Sequence, residues 1–186
     1  MLPELSADDK AHLLALAKSA LRSLYDENPS RGLDEFAQHS EWLTPPLLEN
    51  VPCFSTLTTA SGRLRGCVGS LASQKALYKN VYEYTRAAAL KDPRFRPVQR
   101  DEIAGLEVHL SVLGPMERVQ SRADIRIGEH GLYVRHEPLH GVLLADVATE
   151  RKWDVDTFLA QTCEKAGLSS ENIDDYEVFR FAQLSF

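Results

Sequence analysis

Three observations predict an α+β fold, with a mostly antiparallel or mixed sheet flanked by helices. Short β-type runs arrive in hairpin pairs. Helical periods are interspersed among them rather than alternating strictly with strands. The 186 residues, 44% hydrophobic and 26% charged, have ordinary globular composition, sized for one domain or a domain with a smaller lobe. A chain of this length buries roughly 70% of the surface its unfolded form exposes, so it needs neither disulfides nor metal to fold.

Each element has a local reason. Ser6-Ala-Asp-Asp9 supplies an N-cap with a carboxylate three residues on, a variant of the capping box. Leu14, Ala17, Leu21 and Leu24 then keep helical spacing to about Tyr25, and Asn28-Pro29 ends that helix. A second short helix is expected over Leu33–His39. Leu43-Thr-Pro-Pro-Leu-Leu48 reads as an irregular connection. Cys53–Thr59 and Arg63–Leu71 are β runs joined by Ala60-Ser61-Gly62, a hairpin signal. Leu77, Val81, Tyr84 and Ala88 mark a helix within Gln74–Leu90, stopped by Asp92-Pro93. Leu106–Leu113 alternates apolar and polar residues as a half-buried strand does. Further strands are expected at Gly131–His136 and Gly141–Val147. Asp154 N-caps the next helix, with Trp153 and Phe158 as its hydrophobic staple and Gly167 closing it. A strand over Tyr176–Phe186 ends the chain.

Charge and cysteine content narrow the function. A net charge of -6 argues against nucleic-acid binding as the main task. No apolar run approaches a membrane span. Met1-Leu-Pro-Glu-Leu5 lacks the basic and apolar regions of a signal peptide, and three cysteines without a secretion signal read as cytoplasmic thiols. No GxSxG, Walker A or GxGxxG pattern is present, and no HxxxH or CxxC spacing supports a zinc site.

The densest chemical signal is Arg63-Leu-Arg-Gly-Cys-Val-Gly-Ser70. Strand alternation puts Arg63, Arg65 and Cys67 on one face and Leu64 and Val68 on the other. A thiol beside guanidinium groups ionises more readily, and the thiolate is the nucleophile. Gly66 and Gly69 let a ligand or another backbone approach closely. The competing reading makes Cys67 a small core residue beside a bulge. A three-residue hairpin loop puts Ser55 opposite Cys67, and a four-residue loop puts Phe54 there. Neither favours a Cys53–Cys67 bridge. Cys163 fits helix-end packing. His130, opening a strand, and His109, on a polar strand face, are candidate proton-transfer groups. Asp92-Pro-Arg94 joins opposite charges across a turn, which also fits a local ion pair fixing the helix exit.

Leu64-Arg-Gly-Cys-Val-Gly69 resembles the signature of the AMMECR domain family, which typically reads Leu-Arg-Gly-Cys-Ile-Gly. The resemblance continues through Ala87-Ala-Ala-Leu-Lys-Asp-Pro-Arg-Phe-Arg-Pro-Val98, Ser111-Val-Leu113, Ile127-Gly-Glu-His-Gly-Leu132, Gly141-Val-Leu-Leu144, Val147-Ala148, Trp153-Asp154 and Cys163-Glu-Lys-Ala-Gly-Leu168. Bacterial and archaeal members are called AmmeMemoRadiSam system protein A, after the Memo-like and radical SAM proteins encoded beside them. The resemblance implies a single α+β domain over 1–186, with a larger lobe, a smaller lobe and a cleft between them. It also implies that Memo-like and radical SAM proteins are partners. It carries no established reaction and names no cofactor. Residue by residue it points to Leu64, Arg65, Gly66, Cys67 and Gly69 first, then to Asp92, Arg94, Phe95 and His130. Two departures stand out. Leu144-Ala-Asp-Val-Ala148 replaces the usual Leu-Pro-Gln-Val-Ala, and the tail Val178–Phe186 lacks the acidic residue that often closes members.

Two function classes follow. One is a cytoplasmic enzyme, or enzyme component, with Cys67, Arg65 and His130 catalytic and Gly66, Gly69, Asp92, Arg94 and His109 lining the ligand site. The other is a non-catalytic module that binds a small molecule or a Memo-like or radical SAM partner through the same residues.

Overall fold

The computed structural model describes residues 1–186 as an α+β chain with six strands, each antiparallel to its neighbours. In chain order the elements are α1 (Ala7–Arg22), α2 (Arg31–Gln38), α3 (Pro45–Leu48), β1 (Cys53–Thr59), β2 (Leu64–Gly69), α4 (Leu77–Leu90), β3 (Leu106–Arg118), β4 (His130–His136), β5 (Leu139–Leu143), α5 (Ala145–Arg151), α6 (Val155–Ala166) and β6 (Glu177–Ser185). They divide into two compact units, a larger one of 3–112 with 185–186 and a smaller one of 113–184 with 1–2.

In the larger unit, α1 starts on the expected capping box. The Asp9 amide donates to Ser6 Oγ at 3.0 Å, and the Ser6 amide donates to the Asp9 carboxylate at 2.8 Å. The helix buries Leu13, Leu16, Ala17, Ala20 and Leu21 and packs against α4, which in turn packs on β1 and β2. The punctuated stretch after Leu43 contains a four-residue helix, α3, with proline at its first turn, where a missing N–H costs nothing.

The β1–β2 hairpin carries the main surprise. Near the turn the three-residue loop holds: Gly62 is left-handed at φ +77 and Thr58 pairs with Leu64. The register then slips. Leu57 pairs with Gly66 and Thr56 with Cys67, so Arg65 is the extra residue of a β-bulge. One extra residue reverses the alternation. Cys67 therefore shares its face with Leu64, not with Arg63 and Arg65, and neither Ser55 nor Phe54 stands opposite it. Cys53 and Cys67 lie on opposite faces, and all three thiols are free. β1 also pairs with the first half of β3.

In the smaller unit the strand order is β3-β6-β4-β5, using the second half of β3. Helix α6 packs on β4 and β5 over a core of Ile125, Leu132, Leu143, Ala148, Phe158 and Leu159. Its ends are as expected. Asp154 accepts from the Thr157 amide at 2.8 Å, Gly167 is left-handed at φ +75, and the Leu168 amide reaches the Cys163 carbonyl at 2.9 Å. The strand expected over Gly141–Val147 is corrected. β5 stops at Leu143, and α5 begins at Ala145, whose amide donates to Gln183 Oε1 at 2.8 Å. That contact from β6 satisfies a helix N-terminal donor no local residue could serve. It also explains the departure at 145–146: proline at 145 would have no N–H to give, and Asp146 accepts from Gln183 Nε2 at 2.5 Å.

Candidate functional site

Cys67, Thr56 and His109 form one row across β2, β1 and β3 of the larger unit, Cys67 opposite Thr56 and Thr56 opposite His109. Neighbouring strands lie about 4.8 Å apart, so the three side chains rise side by side. Thr56 Oγ1 donates to Cys67 Sγ at 3.2 Å. His109 Nε2 lies 3.3 Å from Thr58 Oγ1 and 4.0 Å from the Glu107 carboxylate. Cys67 is half-buried, whereas Cys53 and Cys163 are sealed in the core. Burial pushes the Cys53 thiol up to about 12 and raises Cys163 as well.

The turn after α4 supplies the charge beside Cys67. Asp92 is buried and accepts from the Cys67 amide at 2.8 Å. It also holds the Arg94 guanidinium in a fork, Nε to Oδ1 at 2.9 Å and Nη2 to Oδ2 at 2.7 Å. The Arg94 fork keeps the Asp92 carboxyl far below the usual carboxylate range, against the opposing effect of burial. Arg94 is raised in turn, chiefly by its hydrogen bonds to Asp92 and in smaller part by the Cys67 sulfur. The turn thus fixes the helix exit and sets a cation next to the thiol.

Arg65 does something else. It is only 9% exposed, and its Nε and Nη2 donate to the two oxygens of Glu102 at 3.0 and 3.1 Å. That fork draws the Glu102 carboxyl down to about 2, with help from the Gln99 amide. The bulge sends Arg65 away from the Cys67 row, so the charge expected to stabilise a thiolate is committed to Glu102. Arg94 stands beside the sulfur instead.

The signature glycines are filled by backbone. A Cβ on Gly66 would lie 2.1 Å from the Ala88 carbonyl oxygen of α4, and one on Gly69 would lie 2.3 Å from the Cys53 oxygen. His130 belongs to the smaller unit. Its Nδ1 accepts from the Arg126 amide at 3.0 Å, and partial burial, with Arg180 and Arg126 nearby, lowers its pKa although Glu129 and Glu117 oppose this. Within the larger unit, then, Cys67, Asp92, Arg94 and His109 are brought around one strand row. Thr56, absent from the sequence candidates, completes it; only the bulged register reveals it. No group of three or more His, Cys, Asp or Glu side chains is placed to hold a metal ion, and no helix is long and apolar enough to cross a membrane.

Fold and site together define an α+β protein with a free, half-buried thiol on an antiparallel sheet, backed by an Asp–Arg pair. The chain belongs to the AMMECR1 family, whose model matches residues 14–186. A protein of Methanothermobacter thermautotrophicus is 44% identical over 128 residues, covering 64% of this chain and 67% of that one. A Thermococcus kodakarensis protein is 36% identical over 168 residues, covering 81% and 82%. Among solved structures, the uncharacterized protein PH0010 of Pyrococcus horikoshii superposes with a TM-score of 0.78 at 29% identity, covering 93% of this chain and 88% of that one.

Proposed function

We propose that this AMMECR1-family chain is an enzyme, or the thiol-bearing component of one, acting in the cytoplasm through nucleophilic attack by Cys67 on a small electrophile. The carrying observation is the environment of the sulfur: half-buried, hydrogen-bonded by Thr56 and flanked by the Asp92-held Arg94. Arg94, tied through Asp92 to the Cys67 backbone, is the cation for negative charge that develops during attack, Thr56 orients the sulfur, and His109 is the proton-transfer group on the same sheet face. Asp92 positions both Arg94 and the Cys67 backbone. Gly66, Gly69 and Arg65 hold the hairpin in shape.

Iodoacetamide alkylation at pH 7.5, followed by mass spectrometry, tests this. Native protein is expected to label at Cys67 alone, with Arg94→Ala slowing labelling several-fold and Thr56→Val changing it less. Labelling of Cys67 no faster than free cysteine, or an unchanged rate in Arg94→Ala, sinks the reading.

A second reading has its own support: apart from the sulfur, the signature's distinctive groups are spent on the fold, through Ala88, Cys53, Glu102 and Asp92. On that reading the family signature shapes a binding surface for Memo-like or radical SAM partners. Pull-down with such proteins distinguishes the two, because a binding module loses its partner in Cys67→Ser without any turnover to lose.

A further inference from the structure

A groove of about 540 Å³ opens in the larger unit between α1 and the segment entering β3, lined by Lys18, Leu21, Arg22, Arg100, Ile103, Ala104 and Leu106. Its chemistry is one-sided. Three side chains are cationic, four are apolar, and no carboxylate lines it, in a chain whose net charge is -6. Lys18 and Arg22 stand one helical turn apart, where like charges repel, and neither has a hydrogen-bond or ion-pair partner. Arg22 sits in the last turn of α1, where a cation suits the helix dipole; that reason does not extend to Lys18 or Arg100. Arg100 is held in position, with Nη2 donating to the Tyr25 carbonyl at 3.1 Å and the guanidinium 5.5 Å from the Tyr25 ring centroid. The Tyr25 hydroxyl is itself tied to the Val98 carbonyl. On the floor, Ile103 follows Glu102, which the Arg65 fork anchors to β2. The walls are thus fixed by contacts that leave Lys18 and Arg22 uncommitted, while Arg100 is anchored through Tyr25.

We infer that this groove binds a small organic anion with an apolar body, its carboxylate or phosphate head between Lys18, Arg22 and Arg100 and its chain on Leu21, Ile103, Ala104 and Leu106. The volume falls in the range of small-molecule sites, which pair an apolar lining with a few polar groups. Three cations without a carboxylate partner over an apolar floor match that ligand class on both counts, and a neutral or cationic amphiphile on only one. The inference stands apart from the thiol reading, because Cys67 is not among the lining residues.

Titration calorimetry on the full chain tests it with octanoate, octyl phosphate, 1-octanol and octylammonium as probes. Octanoate or octyl phosphate is expected to bind at least about tenfold more tightly than 1-octanol, the equivalent of one charge-assisted contact; the tighter of the two names the head group. Octylammonium is expected not to bind. Lys18→Ala with Arg22→Ala, and separately Arg100→Ala, should each weaken the anionic probe about tenfold with an unchanged circular-dichroism spectrum, while Cys67→Ser binds as wild type. Equal affinity for octanol and octanoate, unchanged affinity in both folded variants, or no binding of either anion up to about 10 mM would overturn it.

Discussion

A methyl group at position 66 meets the Ala88 carbonyl oxygen at 2.1 Å, a distance that backbone must move to relieve. Gly66→Ala is therefore expected to destabilise the chain by about 1–3 kcal/mol, the usual cost of overpacking. In a chain of this size that lowers the melting temperature by about 2–4 °C per kcal/mol, read by thermal circular dichroism. Gly105→Ala, where a Cβ meets nothing within 4 Å, is the control and should change little. The same scale shows how far the signature could be read from sequence. Arg65, Gly66, Cys67 and Gly69 are visible as an unusual string, and Cys67 is separable from Cys163, whose place at a helix end explains it. Their division of labour was hidden, because the bulge at Arg65 reverses the alternation that assigned faces. Nothing in a six-residue signature says that its arginine will meet Glu102, thirty-seven positions on, rather than the neighbouring thiol.

Elements whose causes are local were legible, and those with distant causes were not. Helices α1 and α6 announce themselves through caps and apolar period, so Ser6, Asp154 and Gly167 were placed from sequence alone. Helix α5 reads in the sequence as the end of a strand because Val142–Ala145 is apolar and the Leu144 N-cap has no side-chain cap bond; its first donor is served from β6 by Gln183. Two substitutions test this contrast. Asp154→Ala removes the acceptor of the Thr157 amide and should cost about 1 kcal/mol, as lost caps do. Gln183→Leu should cost a comparable amount by stranding the Ala145 amide, and urea unfolding reads both. A stability unchanged by Gln183→Leu would show that water replaces the contact and that α5 needs no partner from β6.

Across the whole molecule, every carboxylate with a resolved shift, among them Asp9, Asp92, Glu102, Asp124 and Asp154, moves below its ordinary value, and His130 moves below its own. The sign is the same for both kinds of group. A depressed folded pKa means that the unfolded chain binds protons first, so stability is full above the unfolded pKa and is lost as pH falls. The urea midpoint should therefore dip slightly below pH about 6.5, where the unfolded histidine charges, and drop steeply below pH about 4, where carboxylates protonate. Asp92 dominates the expected steep limb because it is buried and serves the Cys67 amide together with three N–H groups of Arg94. Asp92→Asn should cost about 1–3 kcal/mol near pH 7, with the gap to wild type closing as pH falls below 4. A gap that stays constant from pH 7 to pH 3 would mean that the Asp92 charge contributes nothing and only its shape matters. Because the same carboxylate ties Arg94 to the Cys67 backbone, a closing gap should be matched by slower Cys67 alkylation in Asp92→Asn at neutral pH.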